Sequence, residues 1–254
     1  MSYRQFEPHR LLSPYIDTYW AFQGHWSTAE TIKLLPDGAL DLIINLGEDI
    51  HGVNNEFIVK HEAPYLIGTM TQFKEHFIQG TTCLYGVRFR PGAFGCFYSY
   101  DSLHLFANQV NEFEPKLFPD IQKLNRFFVP YLDQFFLDRL HPSKYNLQAI
   151  VANIYQQKGL IQVDKLIKKH FISERKLERL FQAQIGISPK AFIKLLRFTH
   201  TLAQIQNNYS KKSFMELAFD CGYYDHAHLA NEIKHYTGIN PSSIILSDFS
   251  KIGS

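Results

Sequence analysis

Leu177-Glu178-Arg179-Leu180-Phe181-Gln182-Ala183-Gln184-Ile185-Gly186-Ile187-Ser188-Pro189 returns 52 residues downstream as the run from Leu229 to Pro241. Leu177 matches Leu229, Phe181 matches Ile233, and the ending Gly186-Ile187-x-Pro189 matches Gly238-Ile239-x-Pro241. Upstream, Val163, Leu166, Ile167 and Phe171 face Met215, Ala218, Phe219 and Tyr223. An internal repeat constrains architecture before any single element does, and two copies are too few to stack as a solenoid. The last third of the chain is therefore a paired module.

Each copy predicts two helices around a tight turn. In the first, Asp164 to Lys169 forms one helix, Ser173 caps a second, and Gly186 ends it. In the second, Ser213 caps a helix with Glu216 in its first turn and Phe214, Leu217, Ala218 and Cys221 on its apolar face. Gly222 supplies the positive φ of a helix end, and Asp225 caps a helix running to about Thr237, stopped by Gly238 with Pro241 beyond. Helix, short turn and capped second helix is the helix-turn-helix pattern. A pair of plain helical hairpins in a bundle is the alternative reading.

The link between copies favours DNA. Ser188-Pro189 opens a helix that meets no breaker before Asn207-Asn208. From Pro189 to Gln206 it spans roughly 27 Å at 1.5 Å per residue. With the width of each module added, the two second helices come to lie about one duplex turn apart, roughly 34 Å. Charge is segregated in the same sense: the first 142 residues hold 11 Lys and Arg against 16 Asp and Glu, the remainder 15 against 8. A net charge of only +2 conceals a basic rear half, the kind of surface that neutralises phosphates, and an acidic front half. Opposite charges raise two expectations: that the front folds over the basic surface and competes with DNA, or that two independently soluble domains are joined by a passive tether.

From about Asn146 to Ile245 the chain resembles the DNA-binding domain of the AraC/XylS family of bacterial transcription regulators. The residues that carry the resemblance are Ser173…Leu177-x-Arg179-Leu180-Phe181…Gly186-Ile187-Ser188-Pro189, the helix with Leu196-Arg197, and Leu217 to Tyr223 followed by Leu229…Gly238-Ile239-Asn240-Pro241. It implies that the second helix of each module enters the major groove. Arg175, Glu178 and Arg179 then face bases or phosphates in the first module, and His226, Ala227, His228 and Asn231 in the second. Ser173, Lys176, Lys190, Arg197 and Asp225 complete the candidate DNA-binding set. The chain departs from the family at Asn231, where an arginine or long polar residue is usual, at Ile233 in place of phenylalanine, and in Ser242 to Ile245 after Pro241. The second helix offers no arginine, so the first module is expected to supply most of the affinity.

The fold class expected is α+β: a β-rich domain over 1–115, a helical linker over 116–142 and the double helix-turn-helix over 143–254. Strands are predicted at 19–22, 31–35, 40–45, 56–59, 64–67, 74–78 and 84–89, separated by turns such as Pro36-Asp37-Gly38, Gly47-Glu48-Asp49 and Asn54-Asn55. Such spacing describes a small barrel or sandwich. A helix from about Pro119 to His141 carries Ile121, Leu124, Phe127, Phe128, Tyr131, Leu132, Phe135 and Phe136 on one face. The segments Leu34 to Ile43 and Val87 to Phe94 resemble the cupin-like amino-terminal domain of regulators in the same family, which implies a sensor or dimerisation role. Arg88 and Arg90 share one strand face; either they hold an anionic ligand or they pair internally with carboxylates of the Asp37 and Asp41 kind.

Enzyme patterns are missing from the sequence. There is no P-loop, Gly-x-Ser-x-Gly or dinucleotide fingerprint, and His226 and His228 diverge on a helix, so no cofactor, metal or catalytic residue is expected. Cys83, Cys96 and Cys221 read as buried small hydrophobes. Without a signal-peptide pattern or an apolar run near 18 residues, a cytoplasmic protein off the membrane is expected. The partners implied are double-stranded DNA, RNA polymerase, a small-molecule effector and a second copy of the chain. A cupin-type metal enzyme with a helical tail, and a regulator whose front domain makes only protein contacts, are the alternatives.

Overall fold

The computed structural model describes residues 1–120, 123–124, 128–141, 147–208 and 212–240. Among these, the front half is an antiparallel sheet of β1 (Ser2–Phe6), β2 (Ile16–Leu34), β3 (Leu40–Asn45), β4 (Ile50–Gly52), β5 (Ile58–Val59), β6 (Pro64–Ile67), β7 (Lys74–Phe89) and β8 (Val110–Glu112). The order along the sheet is β1-β2-β7-β3-β6-β8, with β4 and β5 paired off β7. Strand alternation gives this sheet two apolar faces. Tyr19, Leu42, Ile44, Val87 and Phe89 point to one core, and Trp20, Phe22, Trp26, Ile43 and Ile78 to the other.

Four of the predicted strands are halves of two. The segments 19–22 and 31–35 fall on β2, and 74–78 and 84–89 on β7, because β2 and β7 pair along their length. The register slips between Trp26 and Glu30, so the interruption in the pattern is a bulge inside a strand and not a strand end.

The aromatic helix is shorter than its pattern suggests. A 3-10 turn at Pro115–Leu117 precedes α1 (Phe128–Leu137), while Ile121 and Phe127 lie outside the described residues. It is also not a free link between the halves. Phe128, Leu132 and Phe136 are buried against Tyr19 and Phe89 in the first core of the sheet domain. Phe136 packs edge-on to Phe89 at 5.6 Å and to Phe97 at 5.3 Å, the geometry that ring quadrupoles favour.

The rear half follows the repeat. Its helices are α2 (Leu147–Gln156), α3 (Val163–His170), α4 (Glu174–Gln184), α5 (Pro189–Asn208), α6 (Phe214–Asp220) and α7 (His226–Thr237). The Ser173 and Asp225 side chains cap α4 and α7, accepting from the Lys176 and His228 amides. Ser213 caps α6 in a reciprocal box with Glu216. Gly186 and Gly238 carry positive φ of 97° and 71° just past the ends of α4 and α7, where a β-carbon would be strained. Equivalent positions share burial: Leu177 with Leu229 and Phe181 with Ile233 are fully enclosed in one core. Among the described residues no helix is long and apolar enough to cross a membrane.

Candidate nucleic-acid interface

The start of α4 is set by its cap and by burial on one side. Leu177, Leu180 and Phe181 turn into the core, and the 3.6-residue period leaves Arg175, Lys176, Glu178 and Arg179 exposed on the other. Glu178 accepts from the Gln182 side chain at 3.2 Å, one turn further along α4. Lys190 is exposed in the first turn of α5, whose amide at Ala191 is met by Ser188 at 3.1 Å. Lys165, Lys168 and Lys169 are exposed on α3. The α7 start matches this plan, with His226, Ala227, His228 and Asn231 exposed and Asp225 half-buried as the cap. The arrangement offers two helix starts with exposed side chains and positive helix-dipole ends, the elements that contact bases and phosphates.

Arg197 differs from the other candidates. Its guanidinium donates from Nε and Nη2 to Glu232 at 3.3, 3.1 and 2.8 Å and lies 4.5 Å from the centre of the Tyr223 ring. The Tyr223 hydroxyl donates to the same carboxylate at 2.9 Å. Burial opposes the charge on Arg197, but hydrogen bonding and attraction to Glu232 outweigh it and hold the group protonated. Glu232 occupies the repeat position at which the first module buries Leu180. The second module thus has a satisfied ion pair between α7 and α5 where the first has a buried apolar side chain, and Arg197 is committed to it.

The front domain meets the recognition helices at their far ends. Thr69 donates to the Ile185 carbonyl at 2.7 Å, Ser102 to the Gln182 carbonyl at 3.2 Å, and His104 Nδ1 to the Gly186 carbonyl at 3.1 Å. Lys33 donates to the Thr237 carbonyl at the end of α7 at 2.8 Å, with its ammonium 4.3 Å from the Phe73 ring centre. These donors satisfy carbonyls that a helix C-terminus leaves open, and Lys33 adds a favourable charge there. The exposed starts of α4 and α7 are left uncovered, so the masking expected from opposite charges is not the contact made.

In the front domain the two arginines are both engaged. Arg88 pairs with Asp41 through Nε at 3.2 Å and Nη2 at 3.1 Å, and with Asp37 through Nη1 at 2.9 Å. Burial works against its charge, and the two carboxylates override that, leaving it firmly protonated. Burial pushes the Asp37 carboxyl up, with Arg88 pulling the other way. Arg90 lies just beyond β7, donating to the Ser13 carbonyl and pairing with Asp17, both at 2.8 Å. Of the two sequence alternatives, internal pairing is the geometry present. Beside Arg88 is a cavity of about 80 Å³ walled by Tyr3, Trp20, Phe22, Ile43, Phe57 and His76.

Sequence reasoning did not find Lys33, Thr69, Ser102 and His104, nor the cavity walls. They come from segments far apart in the chain, and no local spacing marks them. The one available signal was the change from Leu180 to Glu232 between repeats, which calls for a partner. Among the described residues, no group of three or more His, Cys, Asp or Glu side chains is placed to hold a metal. Cys83 is half-buried and accepts weakly from Gln23 at 3.4 Å, whereas Cys96 and Cys221 are buried.

Residues 166–245 match the family model described as a helix-turn-helix domain, and residues 4–112 match one described as a domain of unknown function (DUF6597). An uncharacterised HTH-type transcriptional regulator of Haemophilus influenzae is 26% identical over 111 residues, 44% of this chain and 36% of that one. The HTH-type transcriptional activator RhaS of Mannheimia succiniciproducens is 26% identical over 84 residues, 33% of this chain and 31% of that one. The matched segments thus span about a third of the length of these relatives. ToxT of Vibrio cholerae O395, solved with (E)-4-(8-methylnaphthalen-1-yl)but-3-enoic acid, aligns over 97% of this chain and 99% of its own. Its TM-score is 0.51 at 8% identity, a likeness of fold.

Proposed function

Starting from a chain with an AraC-type helix-turn-helix domain behind a β-rich domain of unassigned role, we propose that it is a sequence-specific DNA-binding transcription regulator. Helices α4 and α7 enter successive major grooves on one face of the duplex, positioned by α5. The observation that carries this is the pairing of two capped helices with exposed starts across a 20-residue helix. Arg175 and Arg179 on α4 make the strong contacts, since arginine reads guanine and grips phosphate. His226, His228 and Asn231 on α7 make weaker ones. Arg197 contributes indirectly, by locking α7 to α5.

The front domain is the regulatory part. Its donors hold the carbonyl ends of both α4 and α7, so a shift of the sheet would change the angle between the two helices without touching DNA. A small molecule in the cavity is the effector this reading assigns, and RNA polymerase and a second copy of the chain are the protein partners it allows. A regulator whose front domain makes only protein contacts is the second reading, and the cavity beside Arg88 counts against it.

Selection of genomic fragments by the full chain, followed by titration of the Arg179→Ala variant, tests the proposal. Loss of roughly 1–3 kcal/mol at the selected site, with little change on unrelated DNA, supports base readout by α4. Equal loss on all DNA makes Arg179 a phosphate contact, and failure to select any site overturns the function.

A further inference from the structure

The cavity in the front domain has polar equipment of an unusual balance. Arg88 is its deepest cation, and all three guanidinium nitrogens already face carboxylates, two toward Asp41 and one toward Asp37. Lys74, also in the wall, has its ammonium met by Glu56 at 3.5 Å. In the wall, Asp37 and Asp41 thus share the single guanidinium of Arg88, while the charge of Lys74 is matched by Glu56 from outside the wall. An incoming anion would have to displace a carboxylate from Arg88 and leave it buried without a partner, the costly way to break such a pair. The unspent capacity is on the acceptor side.

Two further groups point the same way. The His76 ring lines the cavity at 9% exposure and makes no hydrogen bond or ion pair among the described residues. Burial alone pushes it down to about 4, so at neutral pH it is uncharged and presents a lone pair as well as an N–H. Trp20 donates its indole N–H to Asp41 at 2.9 Å, which turns an electron-rich ring along the carboxylate. Tyr3 lies 6.2 Å from it, centre to centre. Carboxylates beside aromatic faces attract a cation in two ways at once. The backbone makes room for this ring: a β-carbon on Gly86 would come within 2.2 Å of Trp20.

We propose that the front-domain cavity binds a small apolar molecule carrying a protonated amine. The ammonium is held by Asp37 and Asp41 with His76 as a further acceptor, and the apolar body lies against Trp20 and Phe22. This rests on the reading of the cavity as the effector site and adds the ligand's charge and size. A volume of about 80 Å³ holds roughly five to eight waters at 10–15 Å³ each, which corresponds to a ligand of similar heavy-atom count.

Benzylamine, benzyl alcohol and benzoate share one ring and differ mainly in charge, and Trp20 reports on the cavity directly. With 2 tryptophans in the chain, Trp26→Phe leaves Trp20 as the sole indole emitter. In that full-length background at pH 7, benzylamine should shift Trp20 emission saturably, binding at least about tenfold more tightly than benzyl alcohol, with benzoate weakest. Asp37→Asn keeps the Arg88–Asp41 pair and removes the excess charge, so it should bring benzylamine to the level of benzyl alcohol. Benzoate binding as tightly as benzylamine, or an unchanged order in Asp37→Asn, overturns the amine assignment while keeping the cavity as a ligand site. No saturable response to any of the three overturns both the assignment and the effector-site reading.

Discussion

Replacing Arg197 with Met should destabilise the helical domain without acting as the loss of a phosphate contact. The guanidinium fills a site bounded by Glu232 and the Tyr223 ring, and the two charged side chains are only 16% and 9% exposed. Removing the cation leaves a buried carboxylate with the Tyr223 hydroxyl at 2.9 Å and His228 at 4.0 Å as its remaining partners. Breaking one side of a buried pair costs about 3–5 kcal/mol, and the surviving tyrosine bond places this case at the lower end, about 3 kcal/mol. For a helical unit of about 100 residues that is a fall of roughly 12–24 °C in Tm. The repeat itself supplies the rescue, because the first module has Leu180 where the second has Glu232. The double variant Arg197→Met with Glu232→Leu should return to within about 1 kcal/mol of the parent, since apolar replacement of a whole buried pair is often neutral. Urea denaturation of the four proteins in the cycle, followed by DNA titration of the folded ones, measures both effects. A single variant as stable as the parent but weaker on DNA at every salt concentration would refute this reasoning and make Arg197 a phosphate contact.

Three other outcomes are expected. The folded chain holds His76 neutral down to about 4 while the unfolded chain protonates it near 6.5, so the unfolded state binds the extra proton between those values. Stability from this group is therefore complete above pH 6.5 and falls as pH drops toward 4, by at most about 3 kcal/mol, and His76→Phe should flatten that slope in denaturation at successive pH values. Ser173→Ala removes the side-chain cap of α4 and should cost about 1 kcal/mol in the same assay; no change would mean the Lys176 amide finds another acceptor. Arg175→Ala should reduce the slope of log affinity against log salt by about 1 if the side chain neutralises one phosphate, and an unchanged slope would remove it from the phosphate contacts.

The helical half was readable because its information is local. Caps at Ser173, Ser213 and Asp225, and glycines at 186, 222 and 238, mark helix boundaries by chemistry that acts within four residues. The sheet was read less well for an equally physical reason. A bulge between Trp26 and Glu30 and the positive φ of Gly80 look like strand ends in sequence, yet the β2–β7 pairing carries through both. The aromatic helix illustrates the same limit: its buried face was evident, but what it buries against, Tyr19 and Phe89, lies 39 residues away in sequence at the nearest, Phe89 to Phe128. For the site, Arg175 and Arg179 came with the family resemblance, and their exposure opposite Leu177 and Phe181 agrees with helical periodicity. The commitment of Arg197 did not, because its partner Glu232 is polar and lies on another helix.

Chemical footprinting of the full chain on a selected genomic site tests the two-groove geometry most directly. Two protected segments, centred about 10 base pairs apart on one face of the duplex, are predicted, with the segment assigned to α4 the stronger and lost first in Arg179→Ala. A single protected segment, or two on opposite faces, would contradict the placement of α4 and α7 in successive major grooves.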